Sequence, residues 1–337
     1  VSEVVAITVG TFDGVHRGHA RLVQAAREGA MARARAGAGA ARVVALVFDP
    51  SPASVLRPHD APARLSHFDQ RRAWLLEAGA DRVERLVPDR DLLAMSPEGF
   101  ARFVCERHRP ALWVEGPDFR FGHRRLGDVR TLGVLGAQLG FEALIVDDAG
   151  VALSDHQVVP ARSTMARWLL AQGRVFDAAV VLGRWHALTG TVVQGDRRGR
   201  TIGFPTANLV TDLLAPMDGV YGARATVAHA GRVATLAAAV NIGARPTVDA
   251  QRTIEAHVIC AQWPPAGDDG AGALAGLPEY GWELQLELVA YLREQARFAG
   301  LDALRAQLAR DVARAREVVE HYAPCAQRAP VASGSTT

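Results

Sequence analysis

The pattern of apolar residues changes character near the middle of the chain, and this change limits what the chain can fold into. Before about Gly183, short apolar runs at 4–9, 43–48, 82–87, 111–115 and 142–146 alternate with segments of helical period. One helical segment follows His19, with Leu22, Ala25 and Ala26 on one side. Another covers about 69–78, and a third opens at Ser96-Pro97-Glu98, a capping residue followed by proline at the first helical position. Strand, helix, strand in this order predicts a parallel sheet wrapped by helices. In such sheets ligands sit at the carboxyl ends of the strands.

After His186 the runs at 188–193, 220–227, 233–242, 253–259 and 283–292 have no helical segment between them. That predicts an antiparallel barrel or sandwich. One helix then closes the domain, with Leu301, Leu304, Leu308, Val312, Ala315 and Val319 at helical spacing. The boundary is expected between Gly183 and His186, giving domains 1–184 and 185–323. The Gly-, Ala- and Pro-rich stretch 263–278 reads as a mobile loop, and 324–337 as a disordered tail.

The 337 residues suit two such domains. A net charge of +2, with 22% charged and 49% apolar residues, calls for neither nucleic acid nor a membrane as partner. The chain carries no apolar run long enough for a bilayer and no leader-like pattern at Val1. Cys105, Cys260 and Cys325 are odd in number and far apart, which excludes a disulfide framework and a CxxC metal knuckle and predicts a cytoplasmic location. Nothing in the pattern fixes an oligomeric state.

Two segments carry chemistry. After the first apolar run comes Gly10-Thr11-Phe12-Asp13-Gly14-Val15-His16-Arg17-Gly18-His19, then a helix. Two imidazoles at a helix start lie where backbone N–H groups and the helix dipole attract phosphate. Gly14 and Gly18 let the backbone come close to a ligand. This arrangement suits displacement at phosphorus, with the imidazoles donating to growing charge. A zinc helix would need His at i and i+4, whereas these two lie three apart, and no Cys lies nearby. An isolated His pair is more often decoration; its place directly after the first strand favours function.

The second segment, Gly195 to Asn208, holds three glycines and three arginines before Phe204-Pro205-Thr206-Ala207-Asn208. Glycines let a loop fold over phosphates and arginines neutralise them. No Gly-Lys-Ser/Thr follows, so it is not a Walker A loop. Without context such a loop is most often a solvated turn.

GTFDGVHRGH resembles the opening motif of the nucleotidylyltransferase superfamily, and its Phe-Asp-Gly resembles that of the prokaryotic bifunctional riboflavin kinase/FMN adenylyltransferases. Phe48-Asp49-Pro50-Ser51-Pro52 is similar to their Phe-Glu-Pro-His-Pro, and Gly116 to Gly122 to their Gly-x-Asp-Phe-x-Phe-Gly. Ser163-Thr164-Met165-Ala166-Arg167 is similar to their Ser-Ser-Thr-x-x-Arg. Gly203-Phe204-Pro205-Thr206-Ala207-Asn208 matches the flavokinase signature, and Thr253 to His257 its Val-Glu-x-His strand. Tyr280-Gly281 and Leu292 to Phe298 match later motifs.

The resemblance implies a Rossmann-like nucleotidylyltransferase domain followed by an antiparallel flavokinase β-barrel with a C-terminal helix. Riboflavin and ATP would give FMN in the barrel; FMN and ATP would give FAD and pyrophosphate in the first domain. His16 and His19 would stabilise charge at the α-phosphorus. Gly10, Phe12, Gly18, Ser163, Thr164 and Arg167 would bind the ATP phosphates there, and Gly199, Gly203, Thr206 and Asn208 would do so in the barrel. Asp118, Phe119, Arg293 and Phe298 would contact flavin. Thr206 and Asn208 would hold Mg²⁺, and Glu255 would be the general base. Ser51 and Arg162 depart from the pattern, standing where the family has His and Ser. Arg162 is expected to take over a phosphate contact. If both departures disabled the first domain, riboflavin kinase alone would remain. A flavin-binding protein without turnover is a further alternative, and the joint presence of Glu255, Thr206 and Asn208 argues against it.

Overall fold

In the computed structural model, which describes residues 3–37, 39–195, 198–229, 232–244, 252–260 and 277–322, the apolar runs of the first half become parallel strands. In order come β1 (Glu3–Gly10), α1 (Arg17–Ala36), β2 (Ala40–Phe48), α2 (Pro52–Leu56) and α3 (Phe68–Glu77). Then follow β3 (Arg82–Leu86), α4 (Arg90–Ala94), α5 (Pro97–His108), β4 (Leu112–Glu115), α6 (Val129–Leu139) and β5 (Glu142–Ile145). The sheet order is β3-β2-β1-β4-β5, and each neighbouring pair is parallel.

Successive strand residues face opposite sides, so two apolar layers form. Ala6, Val43, Ala45 and Val47 pack with Val23, Ala26 and Ala30 of α1 and Leu75 of α3. Ile7, Leu46 and Trp113 pack with Phe100 and Val104 of α5 and Leu132 and Leu135 of α6. Ser96 caps α5 as expected, its Oγ accepting the N–H of Gly99 at 3.0 Å. The chain passes from β1 outward to β2 and β3, then returns to β4 on the other side of β1. The switch point of the sheet therefore lies between β1 and β4, above their carboxyl ends.

β6 (Gly150–Ala152), β7 (Val158–Pro160), α7 (Ser163–Ala171) and α8 (Val175–Leu182) come next. They are followed by β8 (His186–Val193), α9 (Arg198–Thr201), β9 (Ala207–Val210), β10 (Gly219–His229), β11 (Arg232–Ala244), β12 (Arg252–Val258), β13 (Glu283–Arg293) and α10 (Leu301–Tyr322). Two compact units result. One holds the described residues up to Val151 together with Val159–Ser163; the other holds Ala152–Val158 and the described residues from Thr164 on. Of the two architectures open for the second half, the barrel forms: its strands close in the order β10-β11-β12-β9-β8-β13. α8 joins this unit, because Ala179 packs with Trp185, Val289 and Val319.

Three local details differ from the sequence expectation. A single helical turn, α9, interrupts the strands of the second half, and Gly199 within it hid it. β9 was not anticipated, because four residues are too few to show an alternation. On α10 the expected residues Ala315 and Val319 are buried and Leu304, Leu308 and Val312 half-buried, but Asp311 and Val318 join that face and Leu301 is 62% exposed. Arg293 accounts for the burial of Asp311: its Nε and Nη2 donate to the two carboxylate oxygens at 2.9 and 2.6 Å, holding that carboxylate inward. Most of 263–278, and all of 324–337, lie outside the described residues. Among the described residues no helix is long and apolar enough to cross a membrane.

Candidate active sites

Beyond Gly10 the backbone leaves β1 through left-handed positions at Phe12 (φ 50°), Gly14 (φ 77°) and Val15 (φ 37°). Non-glycine residues there cost about 1–3 kcal/mol each and need support from their surroundings. Phe12 and Val15 are buried in the core, and the Asp13 carboxylate accepts the backbone N–H groups of Leu65 and Ser66 and the Ser66 hydroxyl. Arg71, itself buried, donates from Nη1 to the carbonyls of Thr11 (2.7 Å) and Phe48 (3.0 Å) and from Nη2 to Asp49. It thereby joins the turns that follow β1 and β2.

The turn delivers His16 to the start of α1. Its Nδ1 accepts the backbone N–H of His19 at 3.3 Å, so a neutral ring carries its proton on Nε2. The rings of His16 and His19 stack with centroids 3.5 Å apart, and Phe12 meets His19 edge-on at 5.0 Å. A Cβ on Gly18 would lie 2.7 Å from the Ala161 carbonyl oxygen, so glycine alone fits there. Ser163 reaches the same turn, its Oγ donating to the Asp13 carbonyl at 2.8 Å. Thr164 is exposed and Arg167 half-buried on the first turns of α7.

The two departures have definite partners. Ser51 caps α2, its Oγ accepting the N–H of Ser54 at 3.1 Å. Arg162 donates to Asp118 at 2.5 Å and also to Asp148. Its charge therefore meets two carboxylates, one of them on the segment expected to face flavin. Phe119 stacks on Phe121 at 5.3 Å; Phe121 belongs to the core, and Phe119 packs half-buried against it.

Sequence reading missed Glu115, which is 2% exposed at the end of β4. Burial pushes its carboxyl well above the usual carboxylate range. The one signal was an acidic residue closing an apolar run. Arg71 left no signal, since Arg71-Arg72 reads as the polar side of a helix.

In the barrel, β12 turns Ile254, Ala256 and Val258 inward and leaves Thr253, Glu255 and His257 on the other face. Glu255 stands opposite Asn208 of β9 and Asn241 of β11 in the antiparallel registers. Residues directly opposite share a face, so Asn208, Glu255 and Asn241 form one polar row across three strands. Gln295 donates to the Asn241 side chain at 2.9 Å. Asn241 was also missed; the signal was an amide inside the apolar run 233–242.

His257 fixes the signature turn from beneath. Its Nδ1 is 2.8 Å from the Pro205 carbonyl oxygen, and burial lowers its pKa, so a neutral ring donates there. Thr206 follows immediately. Gly199 must lack a side chain, because a Cβ would come within 2.1 Å of the Phe204 carbonyl oxygen; Gly203 lies in the bend between α9 and Phe204. Arg293 and Phe298 come together, the guanidinium 5.8 Å from the ring centroid, with the fork of Arg293 on Asp311. No group of three or more His, Cys, Asp or Glu side chains gathers to hold a metal among the described residues. The oxygens of Thr206 and Asn208 fit Mg²⁺, which takes few protein ligands and completes its shell with water and substrate phosphate.

Residues 1–158 match the family model for FAD synthetase, and residues 182–319 that for riboflavin kinase. The chain is thus a two-site transferase of phosphorus-containing groups. The bifunctional riboflavin kinase/FMN adenylyltransferase of Escherichia coli (strain K12) is 36% identical over 94% of this chain and 93% of its own length. That of Pseudomonas fluorescens is 33% identical over 95% and 94%. The chain belongs to the family of bifunctional riboflavin kinase/FMN adenylyltransferases and produces FMN and FAD. A solved structure described as a macrolide-efflux protein from Streptococcus pneumoniae is also similar, with TM-score 0.74 and 25% identity over 94% of this chain and 95% of the other.

Proposed function

We propose that FMN forms at the polar row of the barrel and FAD at the helix start of the α/β unit. The observation carrying the first assignment is the register that sets Glu255 beside Asn208. Glu255 takes the proton of the riboflavin 5′-hydroxyl as that oxygen attacks the γ-phosphorus of ATP, and ADP leaves. Thr206, Asn208 and the folded Gly199–Gly203 loop bind the ATP phosphates, and His257 keeps the turn in place through Pro205. Bound Mg²⁺, held by Thr206 and Asn208, would supply charge neutralisation at those phosphates. Phe298 offers its ring to the flavin, and Arg293, anchored on Asp311, sets that ring's position.

In the α/β unit a phosphate oxygen of FMN attacks the α-phosphorus of ATP and pyrophosphate departs. The Nε2–H of His16 and the ring of His19 donate to the charge that grows there. The strand end at Gly10, with Phe12, Gly18 and Ser163, forms the nearby wall; Thr164 and Arg167 are assigned to the ATP phosphates by the family resemblance. Asp118 and Phe119 contact FMN. Use of cellular ATP fits a cytoplasmic location. The full chain incubated with riboflavin, ATP and Mg²⁺ should yield FMN and then FAD, and chelation of Mg²⁺ should stop FMN formation. FMN formation that continues undiminished in chelator would remove the metal from the proposal.

Arg162→Ser provides a milder test. The Arg162 pairs are partly exposed, and such pairs are worth about 0.2–1 kcal/mol. The KM for FMN should rise by no more than about fivefold, with riboflavin phosphorylation unchanged. A gain in FAD synthesis would mean that Arg162 obstructs the site.

A further inference from the structure

We infer that Glu115 sets the floor of the ligand crevice in the α/β unit and acts as a positioning residue for adenylyl transfer. β1 keeps its register with β2 all the way to Gly10, opposite Val47. Its register with β4 covers just Ala6 with Leu112 and Ile7 with Trp113. Beyond Ile7 the two strands part, at the switch point where sheets of this kind bind ligands. One side chain bridges the gap. The backbone N–H of Val9 donates to Glu115 Oε1 at 2.7 Å, and Trp113 Nε1–H donates to the same oxygen at 2.9 Å.

The placement matters because both ligand-facing segments start there. Gly10 to His19 begins one residue after Val9, and Gly116 to Gly122 begins one residue after Glu115. A single buried oxygen thus fixes the spacing between the segment carrying the histidines and the segment carrying Asp118 and Phe119. A triphosphate and a phosphate monoester would be repelled by an ionised floor, and burial pushes this carboxyl well above the usual carboxylate range, toward its neutral form. What the position requires is a neutral acceptor of the right length.

Glutamine meets that requirement and leucine does not. The inference rests on adenylyl transfer taking place in the α/β unit, so the full chain is assayed for both activities. Glu115→Gln should keep the KM values for ATP and FMN in adenylylation within about twofold of native. Glu115→Leu strands two buried donors and should raise them on the order of tenfold, with a smaller fall in kcat and unchanged riboflavin phosphorylation. Native KM values in a folded Leu variant, or equal damage from Gln and Leu, would overturn the inference. Hydrogen exchange on the native protein decides the matter even if the Leu variant does not fold: the Val9 amide should be protected, and exchange at the rate of an open amide would also overturn it. If His19→Ala leaves FAD synthesis intact, the failure lies instead with the location of adenylyl transfer.

Discussion

Replacing Glu255 with glutamine is expected to slow FMN formation by about 10²–10⁴-fold, the usual cost of losing a general base, while supplied FMN is still converted to FAD. The substitution is nearly isosteric, and its strand neighbours Asn208 and Asn241 already carry amides. The row should therefore keep its shape and lose just its proton acceptor. The inward residues of β12, Ile254, Ala256 and Val258, are untouched, so the barrel should fold normally. Flavin separation after timed incubation with riboflavin and ATP, and in parallel with FMN and ATP, reads both activities from one protein sample. Native-rate FMN formation by Glu255→Gln would show that the proton goes elsewhere.

The parallel sheet was legible because its strands are short apolar runs separated by segments of helical period. The barrel was legible as strands alone, but closure depended on β9, whose four residues 207–210 carry no readable alternation. Asn208 was found as a motif residue, yet its partnership with Glu255 is a matter of register, which only the folded sheet sets. Arg293 shows a different limit. Sequence resemblance put it beside flavin, whereas its fork on Asp311 comes from the packing of α10 against the barrel. The support of the histidine turn was invisible for a similar reason. Asp13 meets Ser66, and Arg71 meets Thr11, across more than fifty positions of sequence, through hydrogen bonds to backbone groups that leave no compositional mark. Glu115 lay in plain view at the end of an apolar run, but its meaning depends on the parting of β1 from β4.

His19→Ala should cut FAD synthesis by roughly 10²–10³-fold, the cost of removing one preorganised donor from a developing oxyanion, and should leave FMN formation unchanged. The geometry makes His19 a cleaner target than His16. The cap of α1 uses the backbone N–H of residue 19 and the Nδ1 of His16, so alanine at 19 keeps that bond. Alanine also favours the helix. His16→Ala would remove the capping acceptor as well, costing about 1 kcal/mol of stability and confounding fold with chemistry. Loss of the His19 ring removes its stack on His16 and its edge contact with Phe12, both local to the first turn of α1. Riboflavin phosphorylation in the same sample therefore reports on the rest of the chain, and a thermal melt reports on the α/β unit. A fall in FAD synthesis with both controls at native values assigns the imidazole to adenylyl transfer, and undiminished FAD synthesis removes it from the site.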